Sequence, residues 1–270
     1  MKIIGEKING TRTQIAKAIA ARDAELIQSL ARRQVEAGAS WLDVNAGTHP
    51  EKEPADLVWL IDTVQAVVDL PLCLDSANPA ALAAAIKATR HTPIINSISG
   101  EPQRFEGVLP IVAEHGCPVI ALCMDDKGIP ATAEARLNVM RRVVDAAHRA
   151  GVRDENIYID SLVMTIGTNT QAGNVVLDTM RAVHAEWPAA HLNAGLSNVS
   201  FGLPARALVN RTFLVMAMAA GLDTAIADPL DRDLRAAMLA ADLLLGHDKH
   251  CLGYTRAYRA GWLEKVEKAA

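Results

Sequence analysis

Asp and Asn recur in this chain at the ends of short apolar runs. Asn9 follows residues 2–8, and Asp43 and Asn45 close the run at 41–44. Asp75 ends 71–75, Asn96 ends 93–96 and Asp160 ends 157–160. Ser197 and Asn198 follow 192–196, Asp228 follows 224–227, and Met124-Asp125-Asp126 ends the run that begins at Val119. An ionised Asp only accepts hydrogen bonds, whereas Asn donates and accepts. Two carboxylates and two amides held at fixed heights suit a flat heterocycle with an aminopyrimidinone edge. A carboxylate takes the paired N–H donors of a 2-amino group and ring N3, and an Asn bonds the neighbouring carbonyl and ring nitrogens. A sugar or a metal would also use Asp and Asn.

Helix capping and Asx turns place the same residue types at strand ends. Capping accounts well for Asn78, which precedes Pro79, and Ser97 after Asn96 is a similar candidate. It accounts less well for Asp160 and Asn198, which stand well short of the helices predicted to follow them. Other constellations are weaker. Gly195-x-Ser197-x-Val199 lacks the second glycine of a nucleophile elbow. His247 and His250 have i, i+3 spacing but fit a solvated helix end with a favourable dipole interaction. Arg206 and Arg211 suit either an anionic ligand tail or the surface. Cys73, Cys117, Cys123 and Cys251 have no C-x-x-C spacing and read as buried, reduced thiols. No metal site is expected.

The elements that would hold these residues alternate along the whole length. Eight short apolar runs (2–8, 41–44, 71–75, 93–96, 119–124, 157–160, 192–196 and 224–227) read as parallel strands covered on both faces. Helical periodicity follows each. Asp23 caps a helix that Gly38 ends, Asn78-Pro79 opens another, and Glu101-Pro102 a third. Further helices are predicted at 56–68, 133–149, 172–186, 204–219 and 232–244. Eight strand-then-helix units in 270 residues predict a (β/α)₈ TIM barrel. The rival doubly wound sheet would carry a Gly-rich turn after its first strand, and Asn9-Gly10-Thr11-Arg12 is not one. In a barrel, strand ends converge on the C-terminal mouth, so the Asp and Asn residues should form one ring.

Composition narrows the classes. The chain has 27 Lys and Arg against 31 Asp and Glu, a net charge of −4, which gives no basic footprint for nucleic acid. Half of the residues are hydrophobic, so disorder is excluded. There is no signal-peptide pattern and no apolar run long enough for a membrane span. A single cytoplasmic domain over residues 1–270 is expected.

The segments IIGEKING, WLDVNAG, LCLDS, INS, YID, GLSNVS and VNRTFLVMAMAAGLDTAIAD run in order from Ile3 to Asp228. Together they resemble the methyltetrahydrofolate:corrinoid methyltransferases, pterin-binding TIM barrels that include the acetogen enzyme acting on the corrinoid/iron–sulfur protein and the folate domain of cobalamin-dependent methionine synthase. The resemblance implies methyl transfer, in either direction, between N5 of tetrahydrofolate and the cobalt of a corrinoid (cobalamin). It implies that Asp75, Asn96 and Asp160 bind the pterin and that Asn198, beside Ser197, hydrogen-bonds near N5. Asn198 and Asp160 would then be the catalytic pair, with Glu6, Asn9, Asp43 and Asn45 in supporting contacts. A chain of this length has no room for a cobalamin module, so a partner protein must carry the corrinoid. The resemblance and the apolar C-terminal helices suggest a homodimer. Phe201 stands where the acetogen pattern has Gln, and Ser161 where it has Pro. Dihydropteroate synthase shares the barrel, but its Lys- and Arg-containing signatures are absent. A pterin transferase of that kind and a non-catalytic folate-binding barrel remain the alternatives.

Overall fold

The computed structural model describes residues 1–263. Its strands are β1 (Lys2–Asn9), β2 (Trp41–Asn45), β3 (Leu72–Asp75), β4 (Ile94–Gly100), β5 (Val119–Asp125), β6 (Ile157–Asp160), β7 (His191–Asn193) and β8 (Thr224–Ala227). They are parallel and run in the order β7-β6-β5-β4-β3-β2-β1-β8. The two ends of this sheet meet. Ile226 N donates to Ala194 O at 2.9 Å, and Gly195 bridges Ile226 in parallel. The helices are α1 (Thr13–Ala21), α2 (Ala24–Glu36), α3 (Glu53–Gln65), α4 (Pro79–Ala88), α5 (Pro102–His115), α6 (Ala133–Arg149), α7 (Ala172–Glu186), α8 (Arg206–Ala219), α9 (Arg232–Leu244) and α10 (Leu252–Arg259). The architecture is the predicted (β/α)₈ barrel.

The apolar strands form because both of their faces are covered. Their outward side chains join the helices in one extended core that includes Ile3, Val44, Leu74, Ile95, Val119 and Ile159. Their inward side chains form a smaller, separate plug of Ile4, Cys73, Ile94, Ile120 and Tyr158, with Trp41, Leu122 and Ile226 packed against it. Successive strand residues alternate faces, so the residue two positions further along points the same way. Two residues beyond Ile4, Trp41, Cys73, Ile94 and Tyr158 stand Glu6, Asp43, Asp75, Asn96 and Asp160. The plug that seals the pore therefore dictates that these polar side chains point inward, one layer nearer the mouth.

Helix starts follow their caps. Asp23 accepts from Leu26 N at 3.2 Å, Asn78 from Ala80 N at 3.0 Å, Thr132 from Ala135 N at 3.2 Å and Asp231 from Leu234 N at 3.0 Å. Several boundaries depart from the sequence expectation. β7 ends at Asn193, not 196, because the chain turns into a 3₁₀ segment over Leu196–Ser200. β4 runs on to Gly100, α3 starts three residues early at Glu53, and α8 starts at Arg206, two residues late. α1 is an additional helix. Arg12 at its N-cap makes no side-chain cap, so its start carries no cap signal, although Ile15, Ala18 and Ile19 bury one face. Cys251 is exposed, against expectation, because it heads the short α10 outside the barrel.

Gly10 joins β1 to the turn beside β2, and its N–H donates to Asn45 O at 2.8 Å. A Cβ there would lie 1.9 Å from Ala46 O, a backbone atom that cannot step aside alone. Gly10→Ala should therefore lower the unfolding free energy by about 1–3 kcal/mol, as overpacking does. An unchanged urea midpoint would show that the β1 and β2 ends are not locked together there.

Candidate active site

At the C-terminal mouth, Glu6, Asn9, Asp43, Asp75, Asn96, Asp160, Ser197 and Asn198 line a single cavity of about 330 Å³. Leu162, Val163 and Ile226 supply its apolar wall, and Thr11 and Arg12 its rim. Sheet register brings the polar groups level. Asp75 is the register partner of Asn96, and Asp160 that of Asn193. Asn45, expected as a ligand contact, does not line the cavity. It stands beside Asp75 and donates to Asp75 Oδ2 at 2.9 Å.

Three carboxyls gathered over an apolar plug are costly to ionise. Asp43 is buried, and burial raises its pKa well above the ordinary carboxylate value, with the Asp75 charge and then Glu6 adding to the rise. Burial also raises Asp75, against the Asn45 hydrogen bond and the Arg104 charge. Asp160 is pushed up to about 6 by burial, although Leu162 N, Asn193 and Arg136 all favour its ionised form. Asp43 Oδ1 is a buried acceptor without a partner in the protein. An acceptor of this kind in a cavity wall suits an N–H donor on a bound molecule.

Supporting residues hold the constellation. Asn193 is buried and donates to Asp160 Oδ2 at 2.9 Å, while Leu162 N donates to Asp160 Oδ1 at 2.8 Å. Arg136 reaches in from α6. Its Nη1 donates to Ser161 O at 2.5 Å and Leu162 O at 2.9 Å, and its Nε to Pro130 O at 3.0 Å. It thus clamps the strained Leu162, whose φ is 56°, at the end of β6. Asn198 lies in the 3₁₀ segment, with its Nδ2 only 3.1 Å from the position a Cβ on Gly195 would take. Arg206 fixes that segment, donating from Nη2 to Ser197 O at 2.7 Å and from Nε to Ser200 Oγ at 3.0 Å.

The remaining strand-end acids point elsewhere. Asp125 binds Arg142 Nη2 at 2.5 Å and accepts from Lys127 N at 3.1 Å. Asp228 pairs with Lys7 and lines an adjoining cavity of about 380 Å³ that shares Glu6, Arg12 and Ser197 with the first. His247 sits 3.3 Å from Asp242. The sequence reading missed Asn193, Arg136 and Arg12. Asn193 was within reach of it, since it is the residue that pairs with Asp160 once β6 and β7 are set side by side.

The fold and this geometry can be set beside known proteins. Residues 5–228 match the pterin binding enzyme family. The methylcorrinoid:tetrahydrofolate methyltransferase of Eubacterium limosum is 38% identical over 269 residues, covering 99% of both chains. The methionine synthase of Mycobacterium leprae is 32% identical over 97% of this chain, which spans 23% of that longer protein. Among solved structures, dihydropteroate synthases from Yersinia pestis (TM-score 0.71, 18% identity, covering 91% of this chain and 93% of that one) and Stenotrophomonas maltophilia (0.67, 21%, covering 92% and 93%) share the fold.

The Asp160 carboxyl has a testable consequence for stability. Its pKa in the fold exceeds its value in the unfolded chain, so it favours folding when protonated. That contribution is complete below about pH 4 and is lost as pH rises through about 6. Between these limits and pH 7, wild type should lose roughly 3 kcal/mol more unfolding free energy than Asp160→Asn, whose own cost is independent of pH. Parallel pH profiles for the two proteins would contradict this reading of the site.

Proposed function

The chain belongs to the pterin-binding enzyme family, and from that premise we propose that it is a methyltransferase moving a methyl group between N5 of tetrahydrofolate and the cobalt of a corrinoid carried by a partner protein. The observation that carries this reading is the meeting of Asp75, Asn96, Asp160 and Asn198 at one cavity, in a chain that matches a methylcorrinoid:tetrahydrofolate methyltransferase from end to end. The match with the folate-acting family supplies the chemical class, and the cavity supplies the groups.

The residues fit a pterin. Asp75 and Asp160, once ionised, accept the paired N–H donors of the aminopyrimidinone edge, and Asn96 bonds its carbonyl and ring nitrogens. Asp43 presents its unpartnered oxygen to the same ring. Ligand N–H groups supply what burial withholds, so binding stabilises the ionised carboxylates. Asn198 is exposed at the mouth, where it can hydrogen-bond N5. Ser197, beside it, lines the same wall.

A bound corrinoid would supply the cobalt, which would keep the bonding pair on giving up the methyl and provide the pair on taking it. When the methyl reaches tetrahydrofolate, a C–N5 bond forms and N5 releases its proton. When the methyl leaves methyltetrahydrofolate, N5 gains a proton. Asn198 cannot give a net proton, so it orients N5 while the proton exchanges with solvent at the open rim. A hydrogen bond that strengthens as charge develops at N5 lowers the barrier rather than merely tightening binding. The rest of the contribution is orientation, from rigid strand ends that hold the ring still.

The assay is direct. The protein, tetrahydrofolate and methylcobalamin are mixed, and loss of the methylcobalamin absorbance is followed together with appearance of 5-methyltetrahydrofolate. Asn198→Ala should slow transfer by about a hundredfold or more, as loss of one preorganised polar group does, and weaken calorimetric tetrahydrofolate binding far less. Equal losses in both would reduce Asn198 to a binding contact. Absence of both folate binding and transfer would overturn the assignment, and turnover of a pterin pyrophosphate with p-aminobenzoate would favour the synthase-type alternative.

The chain pairs with a second copy through its C-terminal helices, where Leu208, Val215 and Met216 on α8 and Leu244, Leu252 and Tyr258 further on are exposed. Sedimentation should give a mass near twice 28.9 kDa, and a monomer at micromolar concentration would refute the pairing. The buried free thiols Cys73, Cys117 and Cys123 suit a reducing cytoplasm. Among the described residues no helix is long and apolar enough to cross a membrane.

A further inference from the structure

Among the described residues, Arg136 is the only buried Lys or Arg, at 3% exposed. It stands in the first turn of α6. Its hydrogen bonds all go to backbone carbonyls, those of Pro130, Ser161 and Leu162, and among the described residues it forms no ion pair. A guanidinium keeps its charge at any pH where proteins fold. A buried charge without a counter-charge is costly. Bracing carbonyls does not itself require that charge, since the neutral amide of a Gln donates two hydrogen bonds.

The surroundings of Arg136 show which anion answers it. On the α7 side it shares a small groove with Thr168, Asn169, Ala172 and Val175, all neutral. From β5 it meets the Cys123 thiol, which burial pushes up and so keeps neutral. From β6 it meets Asp160. The other acids of the cavity, Glu6, Asp43 and Asp75, stand on β1 to β3, with Arg12 at the rim paired to Glu6. Asp160 is therefore the anion closest in role to a partner for Arg136. Asp75 has a comparable arginine in Arg104, but Arg104 also pairs with Glu101 at 3.1 Å. The charge of Arg136 is not shared in that way.

We infer that Arg136 is a positioning residue for the proposed methyl transfer, keeping the Asp160 carboxylate ionised and aimed at the pterin from behind the cavity. The inference rests on the reading of that cavity as a pterin site. Arg136 acts by two routes. Its charge favours the anion directly, and more strongly once a ligand displaces water from the cavity. Its grip on Leu162 O fixes a residue with φ 56°, whose N–H donates to Asp160 Oδ1 at 2.8 Å. That N–H is the foremost of the groups that favour ionised Asp160, ahead of Asn193, Gly195 N and the Arg136 charge. Loss of Arg136 therefore removes a charge and loosens the main donor together. Burial still outweighs them all and leaves the carboxyl at about 6, where it titrates within the range of a binding experiment.

The test compares wild type with Arg136→Met, Arg136→Gln and Arg136→Lys. The carboxyl carbon signal of Asp160, assigned by its loss in Asp160→Asn, is titrated by NMR in the ligand-free protein. Its midpoint should rise by about one pH unit in the two neutral variants and by less in Arg136→Lys, which keeps the charge. The calorimetric dissociation constant of tetrahydrofolate should follow, its weakening on acidification setting in at correspondingly higher pH. At pH 8, affinities should stay within about threefold of wild type, because Asp160 is ionised there in every variant. A midpoint that does not move in a folded neutral variant, with affinity lowered equally at every pH, makes Arg136 a brace of the loop and overturns the inference. A rise as large in Arg136→Lys as in Arg136→Met overturns it too. Should neither neutral variant fold, Arg136→Lys decides alone, since an unmoved midpoint there contradicts the grip on Leu162. A wild type that binds no tetrahydrofolate at any pH would defeat the pterin reading, while the carboxyl titration would still decide the role of Arg136.

Discussion

Carboxyls held above a sealed apolar pore set the terms for this protein. The closed barrel leaves its interior only two options at each inward position, a group that packs or a group that is satisfied. Ile4, Cys73, Ile94, Ile120 and Tyr158 take the first option and fill the pore. One pleat further on, Asp43, Asp75 and Asp160 need the second, Asp43 with one oxygen still unpartnered in the protein, and burial raises all three pKa values. Desolvation makes their charged forms expensive until something donates to them. A flat ligand edge rich in N–H groups would meet that need, and on the proposed reading the carboxyls in turn orient the ring. Affinity and alignment thus arise from the same interaction.

Alignment then depends on the residues behind the lining. Asn45 stands beside Asp75 and Asn193 beside Asp160, each donating to one carboxylate oxygen at 2.9 Å. Arg136 holds the backbone after β6 from the outside, and Arg206 holds the turn that carries Asn198. These contacts tie the loops of the site to helices α6 and α8. Asn198, proposed to meet N5, is exposed and sits on a short 3₁₀ segment, while the proposed pterin anchors sit on strands. On the proposed reading, strand ends fix the ring, and the more open turn leaves room for a large methyl carrier to approach.

Much of this was legible in the sequence because it rests on period and chain order. The apolar runs located all eight strands, and Asp75, Asn96, Asp160 and Asn198 stood out at or just beyond their ends. Helices opened by Asp23 and Asn78 began where their caps placed them. What escaped depended on neighbours in space. Asn45 reads like a ligand contact, and only the pairing of β2 with β3 shows that it serves Asp75. Arg136 reads like any charge on an amphipathic helix until its guanidinium is seen on two carbonyls of another loop. α1 had no cap to announce it, and β7 looked longer than it is because Leu196 stays buried after the strand has ended. Phe201 was noticed as a departure in sequence, but its exposure at the rim belongs to the fold.

Proton counting during ligand binding examines the role of the carboxyls most directly. Calorimetric titration of a pterin at pH 6, repeated in buffers of different ionisation enthalpy, reads the protons exchanged as the complex forms. If the ring's N–H donors bind ionised Asp160 and its neighbours, whose pKa values are raised in the free protein, binding must release protons to the buffer, and Asp160→Asn must release fewer. Net uptake of protons, or binding with no exchange at all, would contradict the account.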